Sequence, residues 1–276
     1  MNPFVIKEIV KRALDEDLGT TDITSDSILT ENFNAHAVFL AKSPGVIAGL
    51  PVVDEVWRQL DPGLIFTPLV KDSAAVSPGT EIAKVSGPVK SILAGERVAL
   101  NFLQRLSGIA TKTAHLVKLV EGLPVKVVDT RKTTPGLRVL EKYAVLQGGG
   151  HNHRFNLADA VLIKDNHIAA CGSISEAVKR ARAVIPHTMT IEVEVENEMQ
   201  VREALEAKTD IIMLDNMSPA QMADMVKLIN GRAIVEASGN INESTIKEVA
   251  ATGVDIISSG AITHSVSALD ISLDIQ

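Results

Sequence analysis

Residues 125–167 read VKVVDTRKTTPGLRVLEKYAVLQGGGHNHRFNLADAVLIKDNH. Two short β-branched runs, 125–128 and 160–163, have the composition of buried strands. Each ends in charge: Asp129, Arg131 and Lys132 after the first, and Lys164, Asp165, Asn166 and His167 after the second. Between them lie a helical segment, three glycines at 148–150 and the cluster His151-Asn152-His153-Arg154. From Thr130 to Asn156 there are five Lys or Arg and one acid, Glu141, in a chain of net charge −7. This local reversal of sign points to an anionic ligand. A scatter of surface cations is the bland alternative, and it fits poorly because the cations directly follow apolar strands.

Strand, charged tip and helix then repeat. Further strand candidates are 190–195, 210–214, 233–235 and 254–257, separated by amphipathic stretches such as Ile174, Ala177, Val178, Ala181 and Ile185. VLIKDN and IMLDN both end a strand in Asp-Asn, while VEASGN and ISSGA both end in Ser-Gly. Alternating strands and helices imply parallel pairing with right-handed crossovers. Six or seven strands fall short of a closed eight-stranded barrel. The expected C-terminal fold is therefore an open or atypical α/β barrel, with a doubly wound sheet as the alternative.

Towards the N-terminus the pattern differs. Pro3 opens a helix through Ile6, Ile9, Val10 and Leu14, and LDEDLGTTDITSD is expected to end it in a loop. Short strands at 35–40 and 46–48, a helix opened by Pro51 and further strands turned by Pro78-Gly79 and Gly87-Pro88 make a small α+β unit. Gly95-Glu96 reads as the start of a long helix. On it, Arg105 shares a stripe with Val98, Phe102 and Ile109, and an arginine on an apolar face needs a carboxylate, a phosphate or a route to water. The expected division is 1–110 for an N-terminal α/β sandwich domain and 111–276 for the barrel, with the final strand or tail able to return to the first domain.

Composition narrows the function classes. A hydrophobic content of 46% and a charged content of 22% are ordinary for a globular enzyme. No apolar run reaches the roughly 18 residues of a membrane span. The sequence pI near 5.5, with one Trp and one Tyr, argues against a nucleic-acid partner. The single cysteine, Cys171, excludes an internal disulfide and reads as a bland thiol. A cytoplasmic setting is expected.

Collected, the strand tips form one ring. Arg131, Lys132 and Lys164 make a cationic part, and Glu194 and Asp215 an acidic one. Alternation in Glu192-Val193-Glu194-Val195-Glu196 sends the acids to one face, where unpaired carboxylates would be costly, so cationic or metal partners are implied. The Ser238-Gly239-Asn240 and Ser259-Gly260-Ala261 turns suit a phosphate, because small residues let backbone N–H groups approach an oxyanion. This ring fits a phosphorylated sugar with a second anionic substrate, the acids holding ribose hydroxyls directly or through Mg²⁺. A zinc hydrolase built on His151, His153 and His167 and a Schiff-base aldolase using Lys132 or Lys164 are rival chemistries.

The stretch from DTRKTTPGLR to LIKDNHI closely resembles the central signature of the quinolinate phosphoribosyltransferase family. The likeness continues through ERVALNFLQRLSGIAT, IEVEVEN, IIMLDNMSP, VEASGNI and GVDIISSGAITHS, and DEDLGTTDITSD is similar to the family's opening. The resemblance implies phosphoribosyl transfer from phosphoribosyl pyrophosphate to quinolinate with decarboxylation, and a requirement for Mg²⁺. It also implies a homodimer with active sites shared between subunits. By motif, Thr130, Arg131, His153, Arg154 and Lys164 would bind substrate, joined by Arg105 from the neighbour. Lys132 would face the pyrophosphate or the reacting centre. Glu194 and Asp215 would sit by the ribose and metal, and the two Ser-Gly loops would take the 5-phosphate. A paralogous family linked to molybdenum transport and nicotinate phosphoribosyltransferase share the scaffold, but the dense cation set fits a dicarboxylate better.

Overall fold

The computed structural model describes residues 1–31 and 33–276. In chain order the elements are α1 (Pro3–Leu18), α2 (Ile23–Ile28), β1 (Asn34–Ala41), β2 (Gly45–Val46), α3 (Leu50–Leu60), β3 (Ile65–Pro68), β4 (Ala75–Val76), β5 (Glu81–Pro88) and α4 (Val89–Leu119). There follow β6 (Lys126–Val128), α5 (Arg138–Gln147), β7 (Val161–Ile163), α6 (Asp165–Cys171), α7 (Ile174–Arg182), β8 (Ile191–Val195) and α8 (Glu198–Glu206). The chain closes with β9 (Ile211–Asp215), α9 (Pro219–Ile229), β10 (Ile234–Ser238), α10 (Ile246–Ala250), β11 (Ile256–Ser258), α11 (Ala261–His264) and β12 (Ile271–Ile275). No described helix is long and apolar enough to cross a membrane.

The chain forms two compact units: Met1–Ala114 with Thr133–Gly149 and Ser265–Gln276, and His115–Lys132 with Gly150–His264. The boundary placed at residue 110 by sequence falls within α4.

In the first unit an antiparallel sheet has the order β12-β1-β5-β3, and β12 pairs along β1 from Ile271 to Ile275, so the tail returns to this unit. Phe39 on β1 meets Trp57 of α3 edge-on at 6.3 Å and Phe66 of β3 at 6.2 Å, which centres the core. Two sequence expectations fail here. The polar stretch after Thr21 is not all loop: Asp22 accepts from Thr24 and Ser25 N–H and caps α2. Gly95 does not start α4, which already runs from Val89. A Cβ at Gly95 would lie 2.5 Å from Trp57 Cζ3, so the glycine serves close packing rather than termination.

The second unit is a parallel six-stranded sheet in the order β6-β11-β10-β9-β8-β7. From β7 to β11 each strand lies beside its predecessor, and β6, the first in sequence, lies beside β11, the last. A doubly wound sheet reverses direction at a switch point; this one does not. It is a barrel order with one pairing missing, between β6 and β7, as expected of an open barrel. A bridge from Val128 to His151 extends the β6 edge by one residue. Val193, Val195, Ile212 and Leu214 are fully buried, and Ser173, Asn197 and Ser218 cap the helices that follow successive loops. The strands' C-terminal ends thus converge, and that end holds the pocket.

Candidate active site

A cavity of about 690 Å³ opens at the strand tips of the second unit. Thr130, Arg131 and Lys132 enter from the end of β6, and His153 and Arg154 from the loop after α5. Lys164 follows β7, Glu194 lies on β8 and Asp215 ends β9. Ser238, Gly239 and Asn240 follow β10, and Ser259, Gly260 and Ala261 follow β11. Every residue that the family resemblance assigns to substrate or metal lines this pocket except Arg105.

The first strand tip is organised by Asp129, fully buried, whose Oδ1 accepts the His153 backbone N–H at 2.8 Å. Lys132 is fixed through its backbone: its N–H donates to Thr130 Oγ1 at 3.0 Å, and the Thr263 hydroxyl donates to its carbonyl at 2.8 Å. A Cβ on Gly260 would come within 2.9 Å of Lys132 Cδ, so only a glycine lets the lysine stem cross that loop unhindered.

Charge is concentrated and unevenly screened. Arg154 donates through Nη1 to the Ala160 carbonyl at 3.2 Å, and burial, then the neighbouring Arg131, lower its pKa. Lys164 Nζ stands 2.5 Å from Glu194 Oε2. Asp215 is pushed up by burial and next by the Glu194 charge, while Asn216 donates to its Oδ2 at 2.7 Å. An electronegative pocket wall thus faces a cationic one.

The two small-residue turns differ. Gly239 has φ +97°, a left-handed conformation, and a Cβ there would lie 2.2 Å from Asn216 Oδ1. Asn240 Nδ2 donates to the same oxygen at 3.2 Å, and Asn216 N–H donates to the Ser238 carbonyl at 3.0 Å, so the β9 and β10 loops are knitted together. Ser259 uses both its donors within the fold, N–H to Val128 O at 3.0 Å and hydroxyl to Ile241 O at 2.9 Å.

Arg105 belongs to the first unit. Its Nε and Nη2 bind Glu141 Oε1 at 2.9 and 2.5 Å, and Nη2 also donates to Thr134 Oγ1 at 2.8 Å. The carboxylate that an arginine on an apolar stripe requires is therefore Glu141, the lone acid of the basic segment. Around it Val98, Phe102, Leu137 and Leu140 line a separate, smaller hollow.

The three histidines of the zinc alternative are not grouped. Among the described residues the cluster with metal-like spacing is His153, Glu192 and Glu236, while His167 Nδ1 accepts the Lys164 N–H at 3.0 Å. Glu236, Asn216 and His264 line the pocket without having been singled out. Glu236 was detectable in principle, as an acid inside the apolar run AIVEAS, the same signal that marks Glu192. Burial, then the Glu192 charge, push the Glu236 carboxyl up to about 7.

Family models described as quinolinate phosphoribosyl transferase, C-terminal domain and N-terminal domain, match residues 109–274 and 22–107. A probable nicotinate-nucleotide pyrophosphorylase (carboxylating) of Bacillus subtilis (strain 168) is 47% identical over 275 residues, which cover 100% of this chain and 95% of that protein. The chloroplastic nicotinate-nucleotide pyrophosphorylase (carboxylating) of Arabidopsis thaliana is 43% identical over 292 residues, with 99% and 83% covered. Among solved structures, NadC from Streptococcus pyogenes superposes with a TM-score of 0.96 at 45% identity, covering 100% of this chain and 98% of that one.

Proposed function

The chain belongs to the quinolinate phosphoribosyltransferase family, and from that premise we propose which of its residues carry the family's reaction. The activity is phosphoribosyl transfer from phosphoribosyl pyrophosphate to quinolinate with decarboxylation, giving nicotinate mononucleotide, pyrophosphate and carbon dioxide in de novo NAD biosynthesis. The observation supporting the assignment is that one pocket joins Arg131, Arg154 and Lys164 to the acids Glu194 and Asp215 and to two small-residue turns.

In this reading Arg131, Arg154 and Lys164, with His153 beside them, receive the two carboxylates of quinolinate, which suits planar guanidinium forks. Ser238-Gly239-Asn240 and Ser259-Gly260-Ala261 face the 5-phosphate, and Thr130 and Lys132 the pyrophosphate. As pyrophosphate leaves C1 of the ribose, positive charge develops on the sugar, and Glu194 and Asp215 stabilise it while Lys132 steadies the departing anion. The pyridine nitrogen attacks from a position fixed by the carboxylate contacts, so much of the rate comes from alignment. Once ribosylated, the cationic ring nitrogen stabilises the in-plane electron pair left at C2 when carbon dioxide departs, and C2 then takes a proton from water to give nicotinate mononucleotide.

Glu194 and Asp215 also fit Mg²⁺. They are hard oxygen donors, and a divalent cation would offset both the burial and the neighbouring Glu194 charge that raise the Asp215 carboxyl. They would hold it directly or through water, and when bound it supplies charge neutralisation to the pyrophosphate. The reading includes a homodimer in which Arg105 reaches the neighbour's substrate. Its basis is family likeness together with an apolar hollow beside that arginine. A cytoplasmic setting fits the single cysteine.

The test is product formation from quinolinate, phosphoribosyl pyrophosphate and Mg²⁺, beside the same reaction with nicotinate. Nicotinate mononucleotide from quinolinate alone, with equimolar carbon dioxide, is the expected result. Turnover of nicotinate instead would overturn the acceptor assignment. Restored activity on mixing inactive Arg105→Ala and Lys132→Ala proteins tests the shared site, and failure of complementation would reject it.

A further inference from the structure

His153 is held on three sides. Its backbone N–H donates to Asp129, its Nδ1 accepts the Arg154 backbone N–H at 2.8 Å, and its Nε2 faces Glu192 Oε2 at 3.2 Å and Glu236 Oε2 at 3.6 Å. Glu192 and Glu236 project from β8 and β10 and are only 3% and 1% exposed. Each keeps its other oxygen, Oε1, buried without a hydrogen-bond partner. Leaving such atoms unpaired costs free energy, so the pair must do something that hydrophobic residues could not.

Two chemistries fit a histidine over two buried carboxylates. One is a divalent-cation site, since the three donor atoms lie within 4.8 Å of one another. The other is a support that orients the ring. The far ring nitrogen decides between them. An imidazole that ligates a metal through Nε2 carries its proton on Nδ1 and donates it to a carbonyl or carboxylate. Here Nδ1 meets a backbone N–H instead and must accept. The ring proton therefore sits on Nε2, directed at the glutamates, and no lone pair remains there for a metal.

We infer that Glu192 and Glu236 are a positioning pair that locks His153 as its Nε2–H tautomer and, through the bond from Arg154 N–H to Nδ1, sets how Arg154 enters the acceptor pocket. This rests on the proposed acceptor side of the site and deepens it. With both ring nitrogens engaged by the protein, His153 acts as a fixed wall. The acceptor's carboxylates fall to Arg131, Arg154 and Lys164, of which Arg154 is placed through the His153 ring.

The test uses the full-length protein, labelled with ¹⁵N and free of substrate, with the His153 ring identified by loss of its signals in His153→Asn. Long-range ¹H–¹⁵N spectra at neutral pH should show the Nε2–H tautomer, and stoichiometric Zn²⁺, a diamagnetic probe, should leave that ring proton in place. In Glu192→Gln/Glu236→Gln the Nε2–H resonance should shift and broaden, because amides hold the ring less firmly than the two carboxylates do. The same double variant should raise KM for quinolinate about tenfold, while kcat and KM for phosphoribosyl pyrophosphate stay within about twofold. An Nδ1–H tautomer, or loss of the Nε2 proton on adding Zn²⁺, would overturn the inference, the latter in favour of a metal site. So would an unchanged KM in a folded double variant. If quinolinate is not turned over at all, the proposed function fails, and the tautomer measurement still decides this point because it needs no substrate.

Discussion

Lys164 Nζ and Glu194 Oε2 stand 2.5 Å apart, the lysine just past the end of β7 and the glutamate on the neighbouring β8. The lysine side chain is 45% exposed and the glutamate 16% exposed, so the pair is worth little as a stabilising ion pair. The pair joins the cationic and acidic sides of the pocket, and under the proposed assignment binding of a dicarboxylate reapportions the lysine's charge. Lys164→Ala should raise KM for quinolinate at least tenfold, about 1.4 kcal/mol, with little change in melting temperature. Glu194→Gln should instead lower kcat, because charge on the sugar develops only in the transition state. Equal effects of the two on quinolinate KM would reject this division of labour.

The loop after β10 offers a steric test. Gly239→Ala places a methyl 2.2 Å from Asn216 Oδ1 at a φ of +97°, whereas Gly231→Ala, at φ +72°, meets nothing within 4 Å. Both substitutions pay the conformational strain, about 1 kcal/mol. Only Gly239→Ala should also separate the two knitted loops, raising KM for phosphoribosyl pyrophosphate and lowering the melting temperature further. Matching kinetics in the two variants would remove this loop from the sugar-phosphate site.

Glu236 makes stability depend on pH. Its carboxyl is raised from 4.5 to about 7 by burial and by Glu192, so the native state binds its proton more tightly than the unfolded chain does. The resulting stabilisation is fully present below about pH 4.5 and is lost as pH rises through about 7, at most about 3 kcal/mol. Glu236→Gln abolishes this titration. Its melting temperature relative to wild type should therefore be higher at pH 8 than at pH 5, as calorimetry can read. The same difference at both pH values would show that Glu236 carries no such shift.

The open barrel was legible because each strand announces its end. A β-branched run stops at a charged or Ser-Gly tip, as at Arg131, Lys164, Asp215 and Gly239, and those tips converge whatever the detailed packing. What escaped reading depends on partners distant in sequence. Glu141 meets Arg105 across 36 residues, and Glu192 and Glu236 meet only because β9 separates their strands in the sheet. Gly95 resembles a helix breaker until Trp57 is seen against it. Periodicity reports the face a residue occupies, but not the neighbour it finds there.

Arg105 allows stability and binding to be separated. Glu141 is fully buried, and besides Arg105 it accepts the Thr134 N–H at 3.1 Å. Arg105→Ala removes its counter-charge and should cost roughly 2 kcal/mol, less than the 3–5 of a wholly buried pair because the arginine is 33% exposed. Adding Glu141→Gln should recover much of that loss, since an amide leaves no buried charge. Glu141→Gln alone keeps the guanidinium but releases it from its carboxylate. If Arg105 serves only the fold, the double variant should regain activity together with its melting temperature. If Arg105 reaches quinolinate in a neighbouring subunit, as the proposed dimer requires, stability should return while KM for quinolinate stays high. Arg105→Lys should then fall between the two, because a lysine restores the charge without the planar fork.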